Sequence, residues 1–315
     1  MRVLFLGTPE FAVPTLQHLI DFPPVQVVGV VTQPDRPAGR GNKVQAPPAK
    51  VLAGLHNIPV LQPEKLSKSP EIVEAMSQLN ADVIVMVAFG QILKKAVLSM
   101  PPQGVINVHA SLLPHYRGSA PLNWSIINGD TVTGVTTMFT EAGVDTGPML
   151  LKKEVAIGPD MTSEELAHAL SNEGADLLIQ TLQKLMDGTL VPERQDDSMA
   201  TFAPMLAKDL GHINWKQSAQ QIHNLVRGII PWPGAYTQVG GATLKIWKTK
   251  VIVAPGQLMM EAGSILIDGD KIQVVCGEVE KNYIQLLEVQ PANKARMKAR
   301  DWANGARIQT GVVLG

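Results

Sequence analysis

Apolar residues run through the first third of the chain in short unbroken blocks: VLFLG (3–7), VQVVGVVT (25–32) and ADVIVMVAF (81–89). Such runs, without polar alternation, predict strands buried on both faces. Between them the spacing lengthens to that of a helix. PEFAVPTLQHLID, PPAKVLAGLHN and SPEIVEAMSQLN carry apolar residues three or four apart. Pro9 and Pro70 stand in first-turn positions, and Ser69 is the predicted N-cap of the third helix. PVLQ and GVINVHAS (104–111) are further strands. Buried strands alternating with helices predict an α/β fold with a mostly parallel sheet covered on both sides.

The pattern then changes. TVTGVTTMFT (131–140) and PMLLKKEVAI (148–157) leave little room for a helix between them, so an antiparallel pair is expected. TSEELAHALSNEGADLLIQTLQKLMDG reads as one long amphipathic helix. Thr162 and Glu165 have capping-box spacing at its start, and Gly188 supplies its stop. The stretch 190–205 is polar and aperiodic, which predicts a linker between a domain of residues 1–189 and one of residues 206–315. Beyond it come one helix, SAQQIHNLVRGI, and short β-rich segments with a turn expected at Asp268-Gly269. A small β-barrel is the expected result.

A length of 315 residues favours two domains. Charge separates them further. Residues 1–205 hold 14 basic and 20 acidic side chains, whereas residues 206–315 hold 13 and 8. A basic module joined to an acidic one suits a polyanionic partner, although the same excess is also ordinary surface charge. Cys276 is the lone cysteine, which excludes an intrachain disulfide and fits a reducing compartment. The start, MRVLFLGTPE, breaks at Gly7 and Pro9 before a secretory signal would be complete. No apolar run approaches the ~18 residues of a membrane span. A cytoplasmic monomer without a membrane partner is expected.

The chemistry concentrates in NVHASLLPHYRG (107–118), at the carboxyl end of an apolar strand, where open parallel sheets bind ligands. Asn107 and His109 are two apart and share a face, and Ser111 would join them if the strand continued. An asparagine amide can stabilise an oxyanion and a histidine can act as base or cationic stabiliser, which suits acyl transfer. Taken alone, a strand-end histidine more often caps the strand than catalyses. EAGVDTGP (141–148) adds Asp145 between Gly143 and Gly147, glycines that would let the backbone turn sharply and approach a ligand closely. A carboxylate there could orient the His109 ring, or be a turn-former only. His109 and His115 lack the spacing of a zinc pair, and no metal is expected. There is no P-loop, no G-x-S-x-G elbow and no dinucleotide fingerprint.

N-x-H-x-S-L-L-P at residues 107–114 and D-x-G at residues 145–147 resemble the folate-dependent formyltransferase family. The start VLFLGTPEFAVPTL, the segment QPDRPAGRG, the motif IIPWPGAY and the β-rich C-terminal part resemble the branch whose acceptor is an aminoacylated tRNA. The resemblance covers nearly the whole chain. Phe89-Gly90 stands where relatives often have Tyr-Gly. It implies a Rossmann-like formyltransferase fold with a C-terminal OB-like barrel, and a catalytic trio of Asn107, His109 and Asp145. It implies 10-formyltetrahydrofolate as donor, bound by Ser111, Leu112, Leu113 and Pro114. A pteridine pocket would span residues 86–91 and 139–145, including Met86, Val87, Phe89, Gly90 and Phe139. The implied acceptor is methionyl initiator tRNA. Arg36, Arg40 and Lys43 stand on a basic loop, expected to be mobile, that could bind tRNA phosphates or be a surface loop only; the resemblance sets Arg40 against the acceptor end and KARMKAR (294–300) against the tRNA body.

Four rival readings remain. A formyltransferase for a small amine, or a formyl-folate hydrolase, would need neither the basic loop nor the basic module. A non-catalytic RNA-binding protein would not need the trio. A zinc hydrolase would need further ligands.

Overall fold

The computed structural model describes residues 1–38, 43–252, 260–278 and 282–315. By contacts the chain divides into two compact units. Unit 1 comprises Met1–Pro121, Val132–Ala156 and Ala167–Ala203, and unit 2 comprises Leu122–Thr131, Ile157–Leu166 and Pro204–Gly315. The units are therefore not contiguous in sequence. Most of the stretch expected to be a linker, residues 190–203, lies within unit 1.

Unit 1 opens with β1 (Arg2–Gly7), α1 (Val13–Asp21), β2 (Gln26–Val31), β3 (Arg36–Ala38), β4 (Lys43–Gln45), α2 (Pro48–Leu55) and β5 (Val60–Leu61). It continues through α3 (Pro70–Gln78), β6 (Val83–Val87), α4 (Lys95–Leu98), β7 (Val105–His109) and β8 (Arg117–Gly118). The helix α5 (Pro121–Ile127), which apart from Pro121 belongs to unit 2, comes next in the chain, then β9 (Val132–Phe139), β10 (Met149–Ala156), α6 (Ser163–Met186), whose first residues to Leu166 belong to unit 2, and β11 (Phe202–Ala203). Among the described residues the main sheet has the order β10-β9-β7-β6-β1-β2-β5. The strands β7, β6, β1, β2 and β5 are parallel, and β9 and β10 extend the sheet antiparallel.

Side-chain alternation puts two cores on the two faces of this sheet. Val3, Phe5, Val83, Val85, Val87, Ile106 and Val108 join one, and Leu4, Leu6, Ile84, Phe89 and Val105 the other. The chain winds from β1 out to β5 and returns to β6 on the other side of β1. That reversal falls between β1 and β6, where the carboxyl ends of open α/β sheets form the crevice that binds ligands.

Of two helix-start expectations, one fails and one holds. Ser69 occupies the N-cap position of α3, but its hydroxyl donates to the Lys65 carbonyl and does not cap the helix. Thr162 and Glu165 do form a capping box, with Thr162 N–H donating to Glu165 Oε2 at 2.8 Å and Glu165 N–H to Thr162 Oγ1 at 3.2 Å.

Unit 2 contributes α7 (Ala219–Gly228), β12 (Ala235–Val239), β13 (Ala242–Ile252), β14 (Ile265–Asp268), β15 (Lys271–Cys276), β16 (Asn282–Pro291), β17 (Met297–Lys298) and α8 (Ala299–Gly305). Its antiparallel sheet has the order β12-β13-β16-β15-β14, with β17 on β16. In the β14–β15 hairpin Asp268 pairs with Lys271, so Gly269 and Asp270 form the loop and the turn falls one residue later than expected. Gly269 takes the positive φ of +54° that this position demands.

A buried polar cluster ties the 157–166 segment to α7 within unit 2. Arg227, 5% exposed, donates to the carbonyls of Gly158 and Met161 and to Asn224 Oδ1. His223 Nε2 faces the Pro159 carbonyl at 3.2 Å, which only accepts, so Nε2 carries hydrogen. Its Nδ1 then accepts from Thr249 Oγ1 at 2.9 Å. Burial pushes the His223 pKa below its usual 6.5. Arg227 adds to this, against the opposing pull of the Pro159 carbonyl and Asp160. The unfolded chain thus binds the proton first, and the stability from the neutral ring is lost as pH falls below 6.5. Lowering pH from about 7.5 to about 5.5 is expected to lower Tm more in the native chain than in His223→Gln. Parallel pH profiles in thermal melts would refute this.

Candidate active site

The strand β7 ends as the sequence pattern indicates, with Asn107 and His109 on one face. Both are almost wholly buried, at 7% and 5% exposure. Asn107 lies between Met86 of β6 and Met138 of β9 in the sheet register. Among the described residues its side-chain amide has no protein hydrogen-bond partner. A buried amide in that state is prepared to bind something that enters from outside.

His109 is held on both sides. Nε2 lies 3.0 Å from the Tyr116 carbonyl, which fixes the hydrogen on that nitrogen. Nδ1 lies 3.6 Å from Asp145 Oδ2. The same Oδ2 accepts the Gly118 N–H at 2.8 Å. Asp145 itself has φ +51°, a left-handed conformation that Asp tolerates better than most residues. The sharp turn thus falls on Asp145 and on neither flanking glycine. Gly143 and Gly147 answer to space instead. A Cβ at Gly147 would run into the Phe139 carbonyl, and one at Gly143 into Thr146 Oγ1.

Two supports lie outside the expected trio. The Thr136 hydroxyl, fully buried, donates to the Ser111 carbonyl at 2.7 Å and accepts the Leu113 N–H at 3.2 Å. It pins the loop that leaves β7. Gln195 donates to the carbonyls of Asp145 and Gly147, at 2.7 and 2.8 Å, and accepts from Arg117 Nε at 2.9 Å. The short pair β8–β11 completes this wall, and Gly118 must be glycine there, since its φ is +125° and a Cβ would meet the Ala203 carbonyl.

A free amide, a clamped imidazole and a carboxylate behind it are the parts of an acyl-transfer site. Comparison with known proteins decides the family. The family described as formyl transferase matches residues 1–182, and the formyl transferase C-terminal domain matches residues 205–307. The chain belongs to the formyl transferase family.

Among its relatives, a protein of Geobacter metallireducens named methionyl-tRNA formyltransferase is 49% identical, covering 100% of this chain and 99% of that relative. One of the same name from Ruminiclostridium cellulolyticum is 48% identical, covering 100% of both. Among solved structures, the N-formyltransferase of Helicobacter canadensis, in complex with folinic acid and dTDP-3-aminofucose, superposes with a TM-score of 0.68. It is 20% identical, covering 90% of this chain and 98% of that one. HypX of Aquifex aeolicus with tetrahydrofolic acid gives 0.61 at 14% identity, covering 98% of this chain and 48% of that one. At such identities these two structures share the fold.

The residues expected to hold a ligand of this formyl transferase are placed unevenly. Met86 stands beside Asn107, and Phe89 is buried in the core of the same face with Gly90, at φ +77°, just beyond it. Val87 packs into the opposite core, and Phe139 packs against that core and pairs with Ile106 at the start of β7. Neither side chain shares a face with His109. Ser111 Oγ donates inward to the His115 carbonyl, and Leu113 is buried with Met138 and Met149, leaving Leu112 and Pro114 half-exposed. Arg36 pairs with Glu64 at 2.8 Å. Arg40 lies outside the described residues, and Lys43 begins β4. In the 294–300 segment Arg296 stacks on Trp247 and pairs with Glu288, and Arg300 pairs with Asp270. Among the described residues no cluster of three or more His, Cys, Asp or Glu could hold a metal, and no helix is long and apolar enough to cross a membrane.

Thr136 and Gln195 escaped the sequence reading for different reasons. Thr136 is one of several threonines on a strand, and only register shows which faces Ser111. Gln195 sits in a stretch whose lack of period says nothing of burial. Thr136→Val keeps the shape and leaves the Leu113 N–H and the Ser111 carbonyl unpaired. It is expected to cost about 1–3 kcal/mol in urea unfolding and to speed amide exchange at Leu113. An unchanged midpoint would show that the hydroxyl does not hold the loop.

Proposed function

We propose that this chain transfers the formyl group of 10-formyltetrahydrofolate to the α-amino group of methionine esterified to initiator tRNA. The product is N-formylmethionyl-tRNA for translation initiation. The observation that carries this reading is the unpartnered Asn107 amide beside a His109 clamped between Tyr116 and Asp145. Relatives named for the same reaction, at 47–50% identity over the full chain, support the acceptor.

The α-amino group must be neutral to attack. An unperturbed one has a pKa of about 7.7–8.0 and esterification lowers it, so little activation is required. As the nitrogen bonds to the formyl carbon, charge builds on the formyl oxygen. Asn107 donates to that oxygen, and His109, on the same face, adds to its stabilisation when a ring N–H leaves the Tyr116 carbonyl. Asp145 holds the ring and helps the proton pass from the attacking nitrogen to N10 of the folate as the C–N10 bond breaks. The crevice between β1 and β6 receives the pteridine, with Met86, Phe89 and Gly90 on its wall. Val87, Phe139 and the 111–114 loop contribute main-chain groups, and Leu112 and Pro114 also offer side chains. This assignment suits a flat heterocycle, for which an apolar slot with a few polar groups is the usual site.

On the RNA side, Arg36, Arg40 and Lys43 meet the acceptor end, and the basic C-terminal module meets the body of the tRNA. Exposed Lys245, Lys248 and Lys250 on β13 add to that module. Phosphate contacts of this kind weaken as salt rises. The chain is proposed to act as a cytoplasmic monomer without a metal.

Formyl transfer measured with methionyl initiator tRNA, methionyl elongator tRNA and free methionine tests the reading. Rapid transfer to the initiator alone is expected. Asn107→Ala is expected to lower kcat roughly 10²–10³-fold. Formyl-folate consumption with water or small amines, and none with any methionyl-tRNA, would reject the acceptor. Near-normal turnover in Asn107→Ala would reject the oxyanion assignment.

A further inference from the structure

Gln195 is 4% exposed, and every hydrogen-bonding group of its amide is engaged. Two N–H groups serve the carbonyls of Asp145 and Gly147, and Oε1 receives Arg117 Nε. This pattern admits one orientation of the amide, since carbonyls only accept and a guanidinium only donates. Arg117, 5% exposed, is fixed in turn by Asp197 at 2.8 Å. The chain of contacts therefore runs from a guanidinium at the β8 strand, through one glutamine, to the backbone of the left-handed residue Asp145 and of Gly147 just beyond it.

Asp145 needs that support. Its positive φ is unfavourable for a residue with a Cβ, so the turn persists only where its surroundings over-determine it. Gln195 grips the main chain at Asp145 and again two residues on, while the Gly118 N–H grips the carboxylate. Together they leave Oδ2 3.6 Å from His109 Nδ1.

We infer that Gln195 is a positioning residue for the transfer reaction, holding the Asp145 turn so that its carboxylate faces His109, with Arg117 fixing the Gln195 amide. The inference rests on the reading of Asp145 as part of the catalytic trio. Gln195 touches neither His109 nor the crevice in the described contacts, so its effect runs through Asp145.

A double-mutant cycle tests this in the full-length chain, with kcat and both KM values read for formyl transfer. Gln195→Ala is expected to lower kcat by roughly 30- to 100-fold, the scale of a misplaced catalytic group, with KM for both substrates within about threefold. In an Asp145→Asn background the same change is expected to lower kcat less than about threefold further, because the residue it positions is already disabled. Gln195→Glu keeps the length and the partner for Arg117 but loses both donors. It guards against a variant that merely misfolds, and is expected to fold and to lose kcat as Gln195→Ala does. A wild-type kcat in a folded Gln195→Glu variant would overturn the inference. So would effects that multiply in the double variant. A near-normal Asp145→Asn variant would instead overturn the catalytic reading of Asp145, and the single-variant data would separate the two failures.

Discussion

The site turns on one imidazole that donates to a carbonyl on one side and faces a carboxylate on the other. His109 Nε2 meets the Tyr116 carbonyl on one side, and its Nδ1 faces Asp145 on the other. Three segments distant in sequence must close around that ring. The 111–118 loop brings Tyr116, the 140–147 loop brings Asp145, and the 195–203 segment locks both. Thr201 Oγ1 accepts the Tyr116 N–H at 2.8 Å, and Gln195 holds the backbone at Asp145. If any one of these shifted, the ring would lose a partner while the sheet beneath it stayed intact.

The sheet makes that closure affordable. Ala88, Tyr116 and Asp145 all have positive φ, at +45°, +61° and +51°. Each such residue costs of order 1–3 kcal/mol and persists only where packing over-determines it. All three lie in the loops around the strand ends, where strain is part of holding a site in shape. The cores on the two faces of the β1–β6–β7 centre supply the offsetting stabilisation, because their strands are apolar on both sides. Fold and site are thus one balance: rigid strands, with strained loops at their carboxyl ends.

Most of the fold was legible because its determinants are local. Unbroken apolar runs mark β1, β2 and β6, and the Thr162–Glu165 capping box marks the start of α6. Asn107 and His109 were legible too, since a period of two places them on one face. The support of the site was not. Gln195 and Thr136 act through partners 48 and 25 positions away, a relation that spacing does not encode. The sharp turn expected at Gly143 and Gly147 falls elsewhere for a related reason. A glycine required by close approach looks the same in sequence as one required by a turn. Val87 and Phe139 show the limit of reading by segment, because a stretch can border a crevice while its side chains face away. The partition into units was hidden as well, since segments 122–131 and 157–166 join a unit that otherwise begins at Pro204.

The most direct test of the central claim is long-range proton–nitrogen correlation on the chain with 15N-labelled histidines, assigned with His109→Asn. The account predicts that neutral His109 carries its hydrogen on Nε2, toward the Tyr116 carbonyl. A neutral ring with its hydrogen on Nδ1 would contradict it, because the clamp that organises the site would then be absent.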